Sequence, residues 1–110
     1  MTTDKTGAPT EVTEESDRFS IAVDGTTAGF TEFVDHREQR IFPHTEIDDE
    51  FGGRGLASIL VGEALAATRA AGKRVVPVCS MVAGYIDKHP EFQDIADPVT
   101  ADIEAVLSAH

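Results

Sequence analysis

Polar residues dominate the start of the chain. Between Met1 and Asp17 nearly every position is Thr, Glu, Asp, Gly or Pro, and Ala8 and Val12 stand almost alone as apolar residues. So little apolar surface does not offset the entropy of ordering the segment, and 1–17 is expected to be a disordered acidic tail. From Arg18 the pattern changes. Phe19-Ser20-Ile21-Ala22-Val23 alternates as a half-buried strand does, Asp24-Gly25 supplies a turn, and Thr27–Val34 continues as a second strand. The pair reads as a β-hairpin. After the polar turn Asp35–Gln39, residues Arg40–Ile47 form a third antiparallel strand in which Pro43 marks a bulge or an edge.

Beyond Asp48-Asp49-Glu50-Phe51 and Gly52-Gly53-Arg54-Gly55 the period becomes helical. Leu56, Ile59, Leu60, Ala64, Ala67 and Ala71 recur at helix spacing, and Gly72 stops the helix. Val75-Val76-Pro77-Val78 is a continuous apolar run, expected to be a central strand covered on both faces. A second helix runs from Ser80 or Met81 to Lys88. After Pro98 a short helix carries Ile103, Val106 and Leu107 on one face. The order β-β-β-loop-α-β-α predicts an α+β (α/β) domain on a mixed, mainly antiparallel sheet, with two principal helices and a short C-terminal one. Its boundaries are a tail at 1–17, the domain at 18–96, and a helix packing on it at 97–110.

At 110 residues there is room for one core. Twenty acidic against nine basic residues give a net charge of -11, which repels phosphate backbones and makes nucleic acid a poor partner. The same field attracts cationic amines, although a solvated acidic surface is the commoner origin of such a balance. Cys79 has no second cysteine to pair with, and His36, His44, His89 and His110 show no metal-ligand spacing, so no metal is expected. No apolar run is long enough to cross a membrane, and the N-terminus lacks an apolar leader core, so a cytoplasmic location is expected.

Glycines between a strand and a helix let backbone N–H groups approach an anion, and the helix dipole adds to the attraction. Two phosphate-binding versions are absent: no Gly, four residues, Gly-Lys-Ser/Thr run of a P-loop is present, and a dinucleotide fingerprint needs glycine where Ser58 stands. A turn that merely reverses the chain is the plain alternative. Glu50–Ala57, followed by Leu60-Val61, resembles the acetyl-CoA pyrophosphate loop of the Gcn5-related N-acetyltransferases. Gly52 stands at that pattern's Arg/Gln place, Gly55 at its Gly place, and Ala57 at its Gly/Ala place; the departure is at Gly52, where the usual side chain is missing. His44–Ile47, the glycine loop, Val75–Cys79 and Tyr85–Phe92 together resemble the small single-domain YjdJ-like branch of that superfamily, from about Phe19 to Phe92. The resemblance implies a reduced acyl-CoA N-acyltransferase fold. It implies acetyl-CoA as cofactor at Gly52, Gly53, Arg54, Gly55, Leu56 and Ala57, with the pantetheine in a gap between strands Ile41–Ile47 and Val75–Val78.

Acyl transfer to an amine needs a base for the ammonium, stabilisation of the tetrahedral oxyanion, and a proton for the departing thiolate. Glu46 and His44, two apart on one strand, share a face and are candidate bases; a solvated Glu and a structural His are the bland alternatives. Tyr85 falls in the helix where many superfamily members place the tyrosine that protonates coenzyme A, though packing would equally explain it. Cys79, at a strand end, is a candidate nucleophile, general acid or inert packing residue. The expectation is an acetyl-CoA-dependent N-acetyltransferase acting on a small amine or a protein lysine. A coenzyme A or acyl-CoA binding module, or a protein-interaction module, without turnover is the alternative.

Overall fold

The computed structural model describes residues 2–3, 6–53 and 55–109. Six strands, β1 (Thr2–Thr3), β2 (Pro9–Glu14), β3 (Arg18–Val23), β4 (Thr26–His36), β5 (Gln39–Ile47) and β6 (Arg74–Val76), lie side by side in chain order. All neighbours are antiparallel except β5 and β6. Parallel pairing needs a crossover, and helix α1 (Leu56–Ala70) supplies it. Helices α2 (Ser80–Lys88) and α3 (Ala101–Ser108) follow, with 3-10 turns at Asp49–Phe51 and Pro90–Ile95. The β3–β4 hairpin closes on Asp24 (φ 52) and Gly25 (φ 82), two left-handed residues as a two-residue hairpin turn requires.

Residues 9–14 correct the expectation of a disordered tail through Asp17. Strand β2 pairs with β3 from Thr10↔Val23 to Glu14↔Phe19, Thr10 is buried, and Ala8 and Val12 pack against the core. The count of apolar residues undervalued this segment because threonine is at home on a pleated surface, and the edge of β3 offers a ladder of backbone partners. A second correction concerns Val75–Val78. Its strand ends at Val76 and lies last in the sheet rather than in the middle. The apolar run reflects cover on both faces, since Val75 joins the cluster under α1 and Val76 the one under α3. The outer edge is met by the following chain, where Asp97 N–H donates to the Val75 carbonyl at 2.8 Å.

Two apolar clusters hold the layers. On one face Leu56, Leu60, Val61, Ala64 and Leu65 of α1 meet Phe19, Ile21, Val23, Phe33 and Phe42 of the sheet, with Val82 and Ile86 of α2. On the other, Ile103 of α3 is buried on Ile41 and Val76, flanked by Val106 and Leu107. Burial of one such aliphatic side chain contributes about 1.5–3 kcal/mol, enough for Ile103 to hold an eight-residue helix that would not persist alone.

Candidate active site

Helix α1 begins without a side-chain cap. Its N-cap is Gly55 in the left-handed region (φ 77, ψ 17), there is no side-chain cap hydrogen bond among the described residues, and no acidic residue lies in the first turn. Gly53 is also left-handed (φ 78), and a side chain would be strained at either position. The leading N–H groups of a fifteen-residue helix are thus left for an external acceptor, at the end where the dipole is positive. Arg54, one of the residues the resemblance places at the cofactor, lies outside the described residues.

Beside this loop the sheet opens. Strand β5 pairs with β6 over Gln39↔Arg74, Arg40↔Val75 and Ile41↔Val76, and the Cys79 N–H donates to the Phe42 carbonyl at 2.8 Å. Past that bond β5 runs on to Ile47 while the chain after Cys79 turns away into α2. The divergence coincides with a bulge. Glu32 pairs with His44 but Val34 with Ile41, so Phe42 and Pro43 together oppose Phe33. Proline, which has no N–H to give, is suited to that position, as its place in the sequence suggested.

The bulge resets which side chains face in. Thr45 is buried and Ile47 packs on the α1 cluster, whereas His44 and Glu46 are exposed. The two candidate bases therefore share a face, His44 lying 6.0 Å from the Phe30 ring. Cys79 sits on the inner side. Its thiol donates to Thr45 Oγ1 at 3.4 Å, and Thr45 Oγ1 lies 2.8 Å from Thr31 Oγ1, both hydroxyls being buried. Cys79 is half-buried at the N-cap of α2, beside the two threonines. Neither threonine was singled out from the sequence, because nothing in a strand's polarity pattern marks a buried hydroxyl pair.

A groove of ≈ 240 Å³ runs between the first turns of α1 and the length of α2, lined by Ala57, Ser58 and Val61 opposite Ser80, Tyr85 and Lys88, among others. Tyr85 lies in it, stacked on His89 with ring centroids 3.8 Å apart. Burial pushes the Tyr85 phenol above its ordinary range, and the nearby Glu91 carboxylate adds to the shift. Its hydroxyl rests on Gly62: a Cβ at that glycine would come within 2.6 Å of the oxygen. A glycine inside a helix costs about 1 kcal/mol relative to alanine, and that cost was the available signal of a close contact at Gly62.

Residues 18–95 match the family model described as GCN5-related N-acetyl-transferase, which spans more than half of the chain. The chain belongs to the GCN5-related N-acetyl-transferase family. The class of activity is therefore that of an acetyltransferase. In fold, this family member is similar to a GCN5-like protein from Staphylococcus aureus solved by NMR in solution, with a TM-score of 0.61 and 20% identity over 83% of this chain and 91% of that one. No curated protein matches it in sequence. Among the described residues no helix is long and apolar enough to cross a membrane, and no His, Cys, Asp and Glu cluster could hold a metal ion.

Members of the family generally take acetyl-CoA, and the donors present suit it. The uncapped first turn of α1 offers N–H donors of the kind an anion takes, and past Phe42 the β5 edge has no further strand partner among the described residues. The absence of an Arg or Gln at Gly52 removes a side chain but none of these backbone groups.

Proposed function

We propose that this domain transfers an acetyl group from acetyl-CoA to an amine, a small molecule or a protein lysine. The observation that carries the reading is the juxtaposition of an uncapped helix start, approached through left-handed glycines, with a strand gap opening at Phe42 and Cys79. Acetyl-CoA supplies an activated thioester. Backbone N–H groups at Gly53 and from Gly55 to Ala57, joined by Arg54, hold the pyrophosphate. Glu46 or His44, directly or through water, takes the ammonium proton so that the nitrogen lone pair can attack. Tyr85, a phenol protonated at neutral pH even at its ordinary value, or the Cys79 thiol returns a proton to the departing sulfur.

Binding without turnover is the second reading, and the exposure of His44 and Glu46, away from Cys79, is what favours it. Release of free thiol from acetyl-CoA in the presence of a panel of amines and lysine peptides tests the two together. Thiol release that depends on amine supports transfer; tight coenzyme A binding with no release supports the module. Under transfer, Cys79→Ala lowers turnover far more than coenzyme A affinity, the pattern of a group acting in the transition state. Full activity in that variant makes Cys79 a packing residue and leaves Tyr85 as the donor.

A further inference from the structure

The groove between α1 and α2 has a cationic end that the acetyl-transfer reading does not use. Lys88 and His89 line it, at the opposite end of α2 from Ser80. Basic side chains are scarce in this chain, and most of those described are already engaged. Arg18, Arg40, Arg69 and Arg74 are paired with Asp17, Asp35, Asp94 and Asp97, and Lys73 donates to the Arg37 carbonyl. Lys88 has no ion pair among the described residues and is exposed on the groove.

His89 is held in a defined state beside it. The Tyr85 carbonyl, 2.9 Å from His89 Nδ1, can only accept, so Nδ1 carries a hydrogen and donates it. The stack on Tyr85 fixes the ring plane. Nε2 is then the nitrogen left for a ligand, and it donates to a phosphate oxygen when the imidazole carries its second proton. The Glu91 carboxylate lies near enough to raise the Tyr85 phenol and the Arg69 guanidinium.

We propose that Lys88 and His89 form a second anion subsite, for a phosphate monoester carried on the same ligand whose pyrophosphate rests on the first turn of α1. Coenzyme A has such a group, its 3′-phosphate, and the inference rests on the coenzyme A reading. In an acidic protein a single turn of backbone N–H groups attracts one anionic centre. A free lysine one groove-length away lets the site select the doubly phosphorylated cofactor over its singly phosphorylated analogue.

Calorimetric affinities for coenzyme A and for 3′-dephospho-coenzyme A test this on the full chain, with circular dichroism as a check on folding. The native protein prefers coenzyme A by about fivefold to tenfold. Lys88→Met abolishes that preference by weakening coenzyme A while leaving the dephospho form unchanged, and His89→Phe, which keeps the stack, removes part of it. Lys73→Met makes the same change in net charge outside the groove and leaves the preference intact. Equal affinities in the native protein, equal weakening of both ligands by Lys88→Met, or the same loss in Lys73→Met would overturn the subsite. If neither ligand binds, the coenzyme A reading fails and the subsite with it; if both bind equally, only the subsite fails.

Discussion

Gly62→Ala is the substitution whose sign the structure fixes most sharply. On helix propensity alone it stabilises by about 1 kcal/mol, because Gly62 lies inside α1. Against that gain stands the Tyr85 hydroxyl, 2.6 Å from where the new Cβ would be, with the ring carbon that bears it at 3.2 Å. Tyr85 cannot swing away freely, being stacked on His89 and packed 6.1 Å from Phe92. Forcing an extra methyl into a packed site costs about 1–3 kcal/mol, and disturbing an aromatic pair about 0.5–1.5 kcal/mol. The net expectation is a loss of about 1–2 kcal/mol.

In a Tyr85→Phe background the hydroxyl is gone and the nearest contact is the 3.2 Å one, so the same substitution becomes neutral or stabilising by about 0.5 kcal/mol. Urea unfolding of the four proteins closes a double-mutant cycle with a coupling of at least about 1 kcal/mol. Turnover of Gly62→Ala falls with Tyr85 misplaced. Stabilisation by about 1 kcal/mol in both backgrounds would refute the reasoning, since it would mean that the Tyr85 hydroxyl is not held on α1.

Three further outcomes are expected. Gly55→Asp puts a carboxylate and a strained left-handed residue at the α1 N-cap; coenzyme A binding disappears by calorimetry, at a stability cost of about 1–2 kcal/mol, and retained affinity would remove the ligand from this loop. Deleting residues 1–17 strips β2 from the edge of β3, and the midpoint temperature drops by several degrees, about 4–8 °C for each kcal/mol lost; an unchanged midpoint would show that the β2 ladder contributes nothing. Asp94 is lowered chiefly by its hydrogen bond from Arg69, and Asp97 is pushed up by burial but ends lowered through hydrogen bonds from Gln39 and Arg74. Their folded values lie below the ordinary 3.8, so their stabilisation is present above it and is lost as pH falls through those folded values. Asp97→Asn flattens the acid limb of urea stability below that range, and an unaltered limb would contradict the pairing.

The parts legible in the sequence are those where local chemistry leaves no choice. Asp24-Gly25 can turn left-handed and the flanking residues alternate, so the hairpin follows, though not the register shift between Ile21 and Ala22. Pro43 cannot donate to a ladder, so its strand had to bulge or lie at an edge, and it bulges. The glycine run before an apolar helix forecast both the break at Gly55 and the free N–H groups after it.

What was not legible depends on partners far along the chain. Thr10 and Val12 form a strand because β3 has an edge to offer, and no count of apolar residues in 1–17 contains that edge. Val75 and Val76 looked central because burial on two faces and position in the sheet leave the same apolar signature. The catalytic candidates divided for a similar reason. His44 and Glu46 do share a face by strand alternation, but Cys79 joins buried Thr45 and Thr31 instead, a meeting set by the bulge and by the Cys79–Phe42 backbone bond.

The central claim, that coenzyme A lies across the α1 start and the β5–β6 gap, is tested most directly by titrating it into the protein and following backbone amide resonances. The account predicts saturable shifts largest at Gly53 and from Gly55 to Ser58, continuing along β5 from His44 to Ile47 and into Cys79. The β3–β4 turn at Asp24-Gly25 should stay unmoved. Shifts absent from the α1 start, or concentrated at that distant turn, would contradict it.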